Sequence, residues 1–216
     1  MKSETKLFLG IIFGTIAIVA AGIALLSRPA APVNAELLIR ADSHKIASGS
    51  GTVTLVEFSD FQCPACGIYH PVVKQLTQKF KDSMTFVYRN YPLVQNHKNA
   101  QIAAEAAEAA GIQGKYWEMH DKLFESQAEW SASESAKDIF SGYAESFGLN
   151  KDQFIKDMDS DPVKNIIQQD VADGKTLGIA GTPTFFLNGV KLENPATLAD
   201  FESLIKTEIG NVSKDN

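Results

Sequence analysis

Seven residues, TVTLVEF (Thr52–Phe58), are β-branched and almost continuously apolar, and they run directly into SDFQCPACGIYH (Ser59–His70). A run of that length and composition suits a strand buried on both faces, which needs packed layers above and below it. Past the cysteines the period changes, and Val72, Val73, Leu76 and Phe80 recur at helical spacing. MTFVYRNYPL (Met84–Leu93) reads as a second strand, ended by Pro92. A long helical region follows. HKNAQIAAEAAEAAG (His97–Gly111) is rich in strong helix formers. GKYWEMHDKLFESQ (Gly114–Gln127) places Tyr116, Trp117, Leu123 and Phe124 on one buried face, and two or three more helices are predicted up to Gly178, with Asn150 as an N-cap. GTPTFFLNGVKL (Gly181–Leu192) then returns to strand, with Asn188-Gly189 as a hairpin turn, and PATLADFESLIKTEIG (Pro195–Gly210) closes as a helix. An alternating start with a hairpin finish predicts an α/β fold with a mixed sheet.

The N-terminus has another character. Leu7–Leu26 holds no charged residue and has about the length needed to cross ~30 Å of hydrocarbon. Lys2 and Lys6 precede it, which favours an inside N-terminus and an exported C-terminal part. The expected organisation is a cytoplasmic tail over 1–6, a single-pass transmembrane anchor over 7–26, a linker over 27–51 with a short helix near Ala35–Ala41, and a domain over 52–210. Val33-x-Ala35 offers a small-residue cleavage site, so a cleaved signal is the alternative. Either reading puts residues from about 36 onward outside the cytoplasm, on the periplasmic or outer face of the cell membrane. That part carries 17 basic against 25 acidic residues, a net charge of -8, and the whole chain carries -6. Neither value gives the electrostatic footprint of a nucleic-acid binder.

Cys63 and Cys66 are the chain's two cysteines. A disulfide between them closes too small a loop to constrain the unfolded chain much, so the pair is a poor staple. C-x-x-C is half of a tetrahedral zinc site, but there is no third cysteine, and His44, His70, His97 and His120 show no paired ligand spacing. A two-thiolate Cu(I) site stays open. A redox dithiol fits the context best. A strand enters the motif and a helical pattern leaves it from about Pro64, a residue tolerated in a first turn. Cys63 then sits at the helix tip, where unpaired N–H groups and the positive dipole end favour its thiolate. Cys63 is expected as the exposed, attacking thiol and Cys66 as the buried, resolving one, in a compartment where disulfides persist. Downstream, Thr182-Pro183 directly precedes a strand, and a cis bond there would present the Thr182 backbone to a neighbour.

Together VEFSDFQCPAC, YRNYPL, HKNAQIAAEAAEAA, YWEMHDKLF and GIAGTPTFFLNG resemble, in order, segments of the DsbA-like thiol–disulfide oxidoreductases, over roughly Thr52–Ile209. The resemblance implies a thioredoxin-like core with an inserted α-helical domain, about 95–178, between the second and third core strands. It implies Cys63 as nucleophile, Cys66 as resolving thiol, and Thr182-Pro183 as the loop that faces the disulfide and binds substrate. It places Glu57 beneath the site as a buried carboxylate of raised pKa that passes protons to or from Cys66. The implied activity is oxidation of thiols in exported, cysteine-containing proteins, with no cofactor, and with reoxidation by a membrane quinone-linked partner. Reduction or isomerisation is the alternative direction, and a Cu(I) carrier the alternative class. One departure is Ala65, where strongly oxidising members carry Cys-Pro-His-Cys. Without that imidazole, a higher Cys63 pKa and a less oxidising couple are expected than in those members. His97 and His120 are expected to anchor helix packing, and His70 to lie at the surface or cap a helix.

Overall fold

The structure is a computed structural model that describes residues 32–47 and 52–213, with Phe13, Thr15 and Ile18 besides. The expected membrane span falls outside the described residues apart from those three positions. Among the described residues no helix is long and apolar enough to cross a membrane.

The strands are β1 (His44–Ile46), β2 (Val53–Ser59), β3 (Met84–Asn90), β4 (Thr184–Leu187) and β5 (Val190–Lys191). They form one mixed sheet in the order β1-β3-β2-β4-β5. β2 pairs parallel with β3 and antiparallel with β4, so the expected buried strand is the middle one. Its side chains alternate between two cores, as a pleated strand requires. Val53 and Leu55 enter one core, and Val56 and Phe58 the other. Glu57 and Ser59 therefore point to the same face as Leu55, the face whose core contains Cys63 and Cys66.

Helices cover both faces: α1 (Ala35–Leu38) before the sheet, α2 (Pro64–Lys79) between β2 and β3, and α9 (Leu198–Val212) at the end. Between β3 and β4 lies the helical insertion, α3 (Ala100–Ile112), α4 (Tyr116–Glu125), α5 (Gln127–Trp130), α6 (Ala136–Ser146), α7 (Lys151–Met158) and α8 (Asp161–Thr176). The alanines of α3 allow close approach from all sides, and Ala103, Ala106, Ala107, Ala109 and Ala110 are fully enclosed. Asn150 caps α7 as expected, its side chain accepting from the Gln153 N–H. The hairpin turn is also as expected, with positive φ at Asn188 (47°) and Gly189 (84°).

The stretch expected as a linker, 27–51, is structured in its described part. β1 pairs antiparallel with β3, and Leu38 of α1 is buried in the second core. Arg89, fully enclosed in β3, fixes this segment. Its Nη1 donates to the Leu38 carbonyl at 2.6 Å and to that of Leu37 at 3.0 Å. The same guanidinium pairs with Asp170 at 2.7 Å and Asp173 at 2.6 Å on α8. One buried cation thus ties the N-terminal segment, the sheet and the helical insertion together.

Candidate active site

Cys63 is the N-cap of α2 and Pro64 opens the helix, as the motif requires. Both cysteines are free thiols. Cys66 is fully enclosed, while Cys63 retains 7% exposure, so the expected order of access holds but Cys63 is less open than expected. The Thr182-Pro183 peptide is cis, and the Cys63 thiol donates to the Thr182 carbonyl at 3.5 Å. The topology thus brings the two motifs together across 119 positions.

The two thiols are electrostatically unlike. Cys63 is lowered from 9.0 to about 5. The Cys66 thiol contributes most, burial opposes, and the Thr182 hydroxyl and the N–H groups of Cys66 and Ala65 add to the lowering. The helix start therefore helps, but the neighbouring thiol matters more. Cys66 is pushed far up, first by burial and then by the Cys63 sulfur and the Glu57 charge. Beneath them Glu57 is 3% exposed, and burial lifts its carboxyl from 4.5 to about 7. The Ser59 hydroxyl, buried and without a fixed partner, faces both the Glu57 carboxyl and the Cys66 thiol. Such a pair, a stabilised thiolate beside a thiol that resists ionisation over a protonatable carboxyl, is equipped to exchange disulfides.

The loop that carries Cys63 is held by residues that spacing in the sequence does not reveal. The enclosed Asp60 carboxylate accepts from the N–H of Gln62 (2.7 Å) and of Leu93 (2.8 Å), and pairs with His97 Nδ1 at 2.7 Å. From the helical insertion, Gln127 Nε2 donates to the carbonyls of Phe61 (2.7 Å) and Cys63 (3.0 Å). Asp60 adjoins the motif and is open to suspicion on that ground. Gln127 carries no signal, because 64 positions separate it from the cysteine it holds.

His97 and His120 pack as expected, but His70 does not. It is 7% exposed, donates from Nε2 to Asp121 at 3.0 Å and stacks on Phe124. The helix face that carries Cys66 and Val73 turns His70 inward with them. Among the described residues His70, His120 and Asp121 form the group whose spacing suits a cation. Both rings already bond the same Asp121 oxygen, and Lys74 holds the other at 2.7 Å. Hydrogen bonds satisfy that carboxylate, and no metal is assigned there.

A central mixed sheet, an N-capping cysteine in C-x-x-C and a cis-proline loop against it define a chain of the thioredoxin class. The thioredoxin family profile matches residues 42–207, and the chain belongs to that family. Its fold is that of DsbA-like proteins. It superposes on alpha-DsbA1 of Wolbachia pipientis with a TM-score of 0.74 at 20% identity, covering 83% of this chain and 96% of that one. A thioredoxin-like oxidoreductase from Silicibacter pomeroyi DSS-3 gives a TM-score of 0.69 at 26% identity, over 81% of this chain and 97% of the other. Among curated relatives, the Na(+)/H(+) antiporter NhaA 1 of Salinispora arenicola is 42% identical over 137 residues, 63% of this chain but 20% of the antiporter. The chain thus spans about a fifth of the length of that relative.

Proposed function

We propose that the chain is a protein thiol–disulfide oxidoreductase that works as an oxidase. The observation that carries this is the placement of Cys63 at the N-cap of α2, against the cis Thr182-Pro183 peptide and beside the enclosed Cys66, a setting that lowers the Cys63 thiol. A thiolate stabilised in the reduced form lowers the free energy of that form, which makes the disulfide a stronger oxidant. In the forward reaction a substrate thiolate attacks Cys63 Sγ, the Cys63–Cys66 bond breaks, and Cys66 leaves as a thiolate. Glu57 supplies its proton. A second substrate thiolate then attacks the substrate sulfur of the mixed disulfide and releases Cys63 as a thiolate. The substrate loses two electrons and the cysteine pair gains them. The Thr182-Pro183 loop lies where an extended substrate would meet the sulfur, and Pro183 lacks an N–H that would compete there.

We place the domain outside the cytoplasm, anchored by Leu7–Leu26, with cysteine-containing exported proteins as substrates and a membrane quinone-linked partner accepting the electrons. The charge-free segment and the resemblance in sequence support this placement. The decisive measurement is the potential of the Cys63–Cys66 couple, together with oxidation of a reduced, unfolded protein. A potential near the ~ -120 mV of DsbA supports the oxidase, and one near the ~ -270 mV of thioredoxin reverses the direction. Cys63→Ser is expected to abolish turnover, and Cys66→Ser, whose Cys63 thiolate can attack a substrate disulfide but lacks the thiol that would resolve the product, to accumulate mixed disulfides. Full activity in Cys63→Ser would end the proposal.

A further inference from the structure

A cavity of about 70 Å³ adjoins the redox site on the face of the sheet that carries Glu57. Its lining runs from the buried Glu57, His70 and His120 to the partly exposed Lys74, Thr77 and Asp121. It has room for several waters, since one needs only about 10–15 Å³. The cavity therefore connects an enclosed carboxyl to the surface.

His120 is the unusual group in it. Its Nδ1 lies 3.1 Å from Asp121 Oδ1, and Asp121 is an ionised acceptor. Burial opposes that ionisation, but hydrogen bonds from His120, His70 and Lys74 hold Asp121 well below the usual carboxylate range. Nδ1 therefore carries the ring proton and Nε2 keeps a lone pair. That Nε2 is buried and has no hydrogen-bond partner. A buried acceptor left unpaired is costly, so a polar guest in the cavity is its natural partner. Phe61, Tyr88 and Phe124 hold the ring by edge-on contacts, with centroids 5.5, 4.7 and 5.2 Å away.

The chemistry needs such a route. When the Cys66 thiolate takes the Glu57 proton, Cys66 becomes a thiol and Glu57 a carboxylate. At 3% exposure Glu57 must then regain a proton through the protein. We propose that this cavity is the proton port of the redox site and that His120 Nε2 relays protons between solvent and Glu57. The inference rests on the function proposed above. In the relay, Nε2 accepts one proton from water and the imidazolium pairs with Asp121. Nε2 then passes one proton, directly or through a water, to the Glu57 carboxylate, and the ring returns to its starting form. Other charged or titratable groups face His120 as well. Tyr116 and Asp121 lie on its own helix, His70 and Lys74 on α2, and Tyr88 on β3, while His44 of β1 is engaged by Glu108 at 2.8 Å. Burial lowers His120 to about 4, below Glu57 at about 7, so transfer runs downhill towards Glu57.

A rapid pH jump followed by infrared spectroscopy tests this directly. The carbonyl stretch of the protonated Glu57 is identified by its loss in Glu57→Gln. His120→Phe keeps the ring packing and removes both nitrogens, and should slow the relaxation of that band by about tenfold or more. Its final amplitude should stay unchanged, which separates a relay from a structural role. Relaxation of His120→Phe at the wild-type rate would overturn the proposal. If that variant does not fold, Thr77→Trp, which narrows the mouth with His120 intact, decides by the same criterion. Proton exchange is read without any thiol reaction, so failure here is distinct from a wild-type protein that fails to oxidise thiols.

Discussion

The Cys63 sulfur lies 3.5 Å from the main-chain oxygen of Thr182, and the Thr182 hydroxyl is buried without a hydrogen-bond partner. The hydroxyl is left to face the sulfur, where it favours the thiolate. Thr182→Val keeps the shape and removes that donor. The Cys63 pKa should rise by up to about one unit, read from thiolate absorbance against pH. An unchanged titration would show that the hydroxyl contributes nothing.

Reactivity of Cys63 should follow its thiolate fraction. With a midpoint near 5, alkylation of the reduced protein should be almost constant from pH 7 to 6. Below the midpoint it should fall about tenfold per pH unit. A midpoint near 8 would contradict the lowered thiol and remove the main support for an oxidase.

Glu57 should make stability depend on pH. Its folded-state pKa, about 7, lies above the ordinary 4.5, so the folded protein holds the proton more tightly than the unfolded chain does. Stability should therefore fall as pH rises from about 4.5 to 7, by about 3 kcal/mol in all, and then level off. Glu57→Gln has no such loss. Denaturant unfolding of the reduced variant should match wild type near pH 4 and exceed it by about that amount at pH 8. Parallel curves would mean that Glu57 is not a high-pKa carboxyl.

Arg89→Met removes the close, hydrogen-bonded cation shared by Asp170 and Asp173 and leaves the enclosed Asp170 with only the more distant Arg40, at 3.8 Å. The expected cost is about 3–5 kcal/mol in chemical denaturation. Adding Asp170→Asn should recover part of it, because the cost lies mainly in a buried carboxylate left with Asn90 and the distant Arg40 in place of its close ion pair. A double variant no more stable than the single one would place the cost in lost packing instead.

Much of the fold was readable in the sequence because its signals are local. β2 announces itself by a continuous apolar run, the turn by Asn188-Gly189, and α7 by Asn150. β1 was not readable, since three residues carry no period and His44–Ile46 become a strand only by pairing with Tyr88–Phe86. α9 begins at Leu198 behind a capping box of Thr197 and Asp200, three residues past the Pro195 start expected from the sequence. At the site, Cys63, Cys66, Glu57 and Thr182-Pro183 sit in motifs that the eye can join. Gln127, Ser59 and the inward turn of His70 depend on which elements pack against α2, and no local spacing encodes that.

The shortness of the two outermost strands has a further bearing on a protein that would spend its working life among unfolded chains. β1 has three residues and β5 has two, and these are the edges of the sheet. Exposed edges are templates on which a foreign segment can continue the ladder. Here that template is cut to a stub at both ends, so a foreign segment finds little backbone to register against. Edge-to-edge association through this sheet is disfavoured by construction.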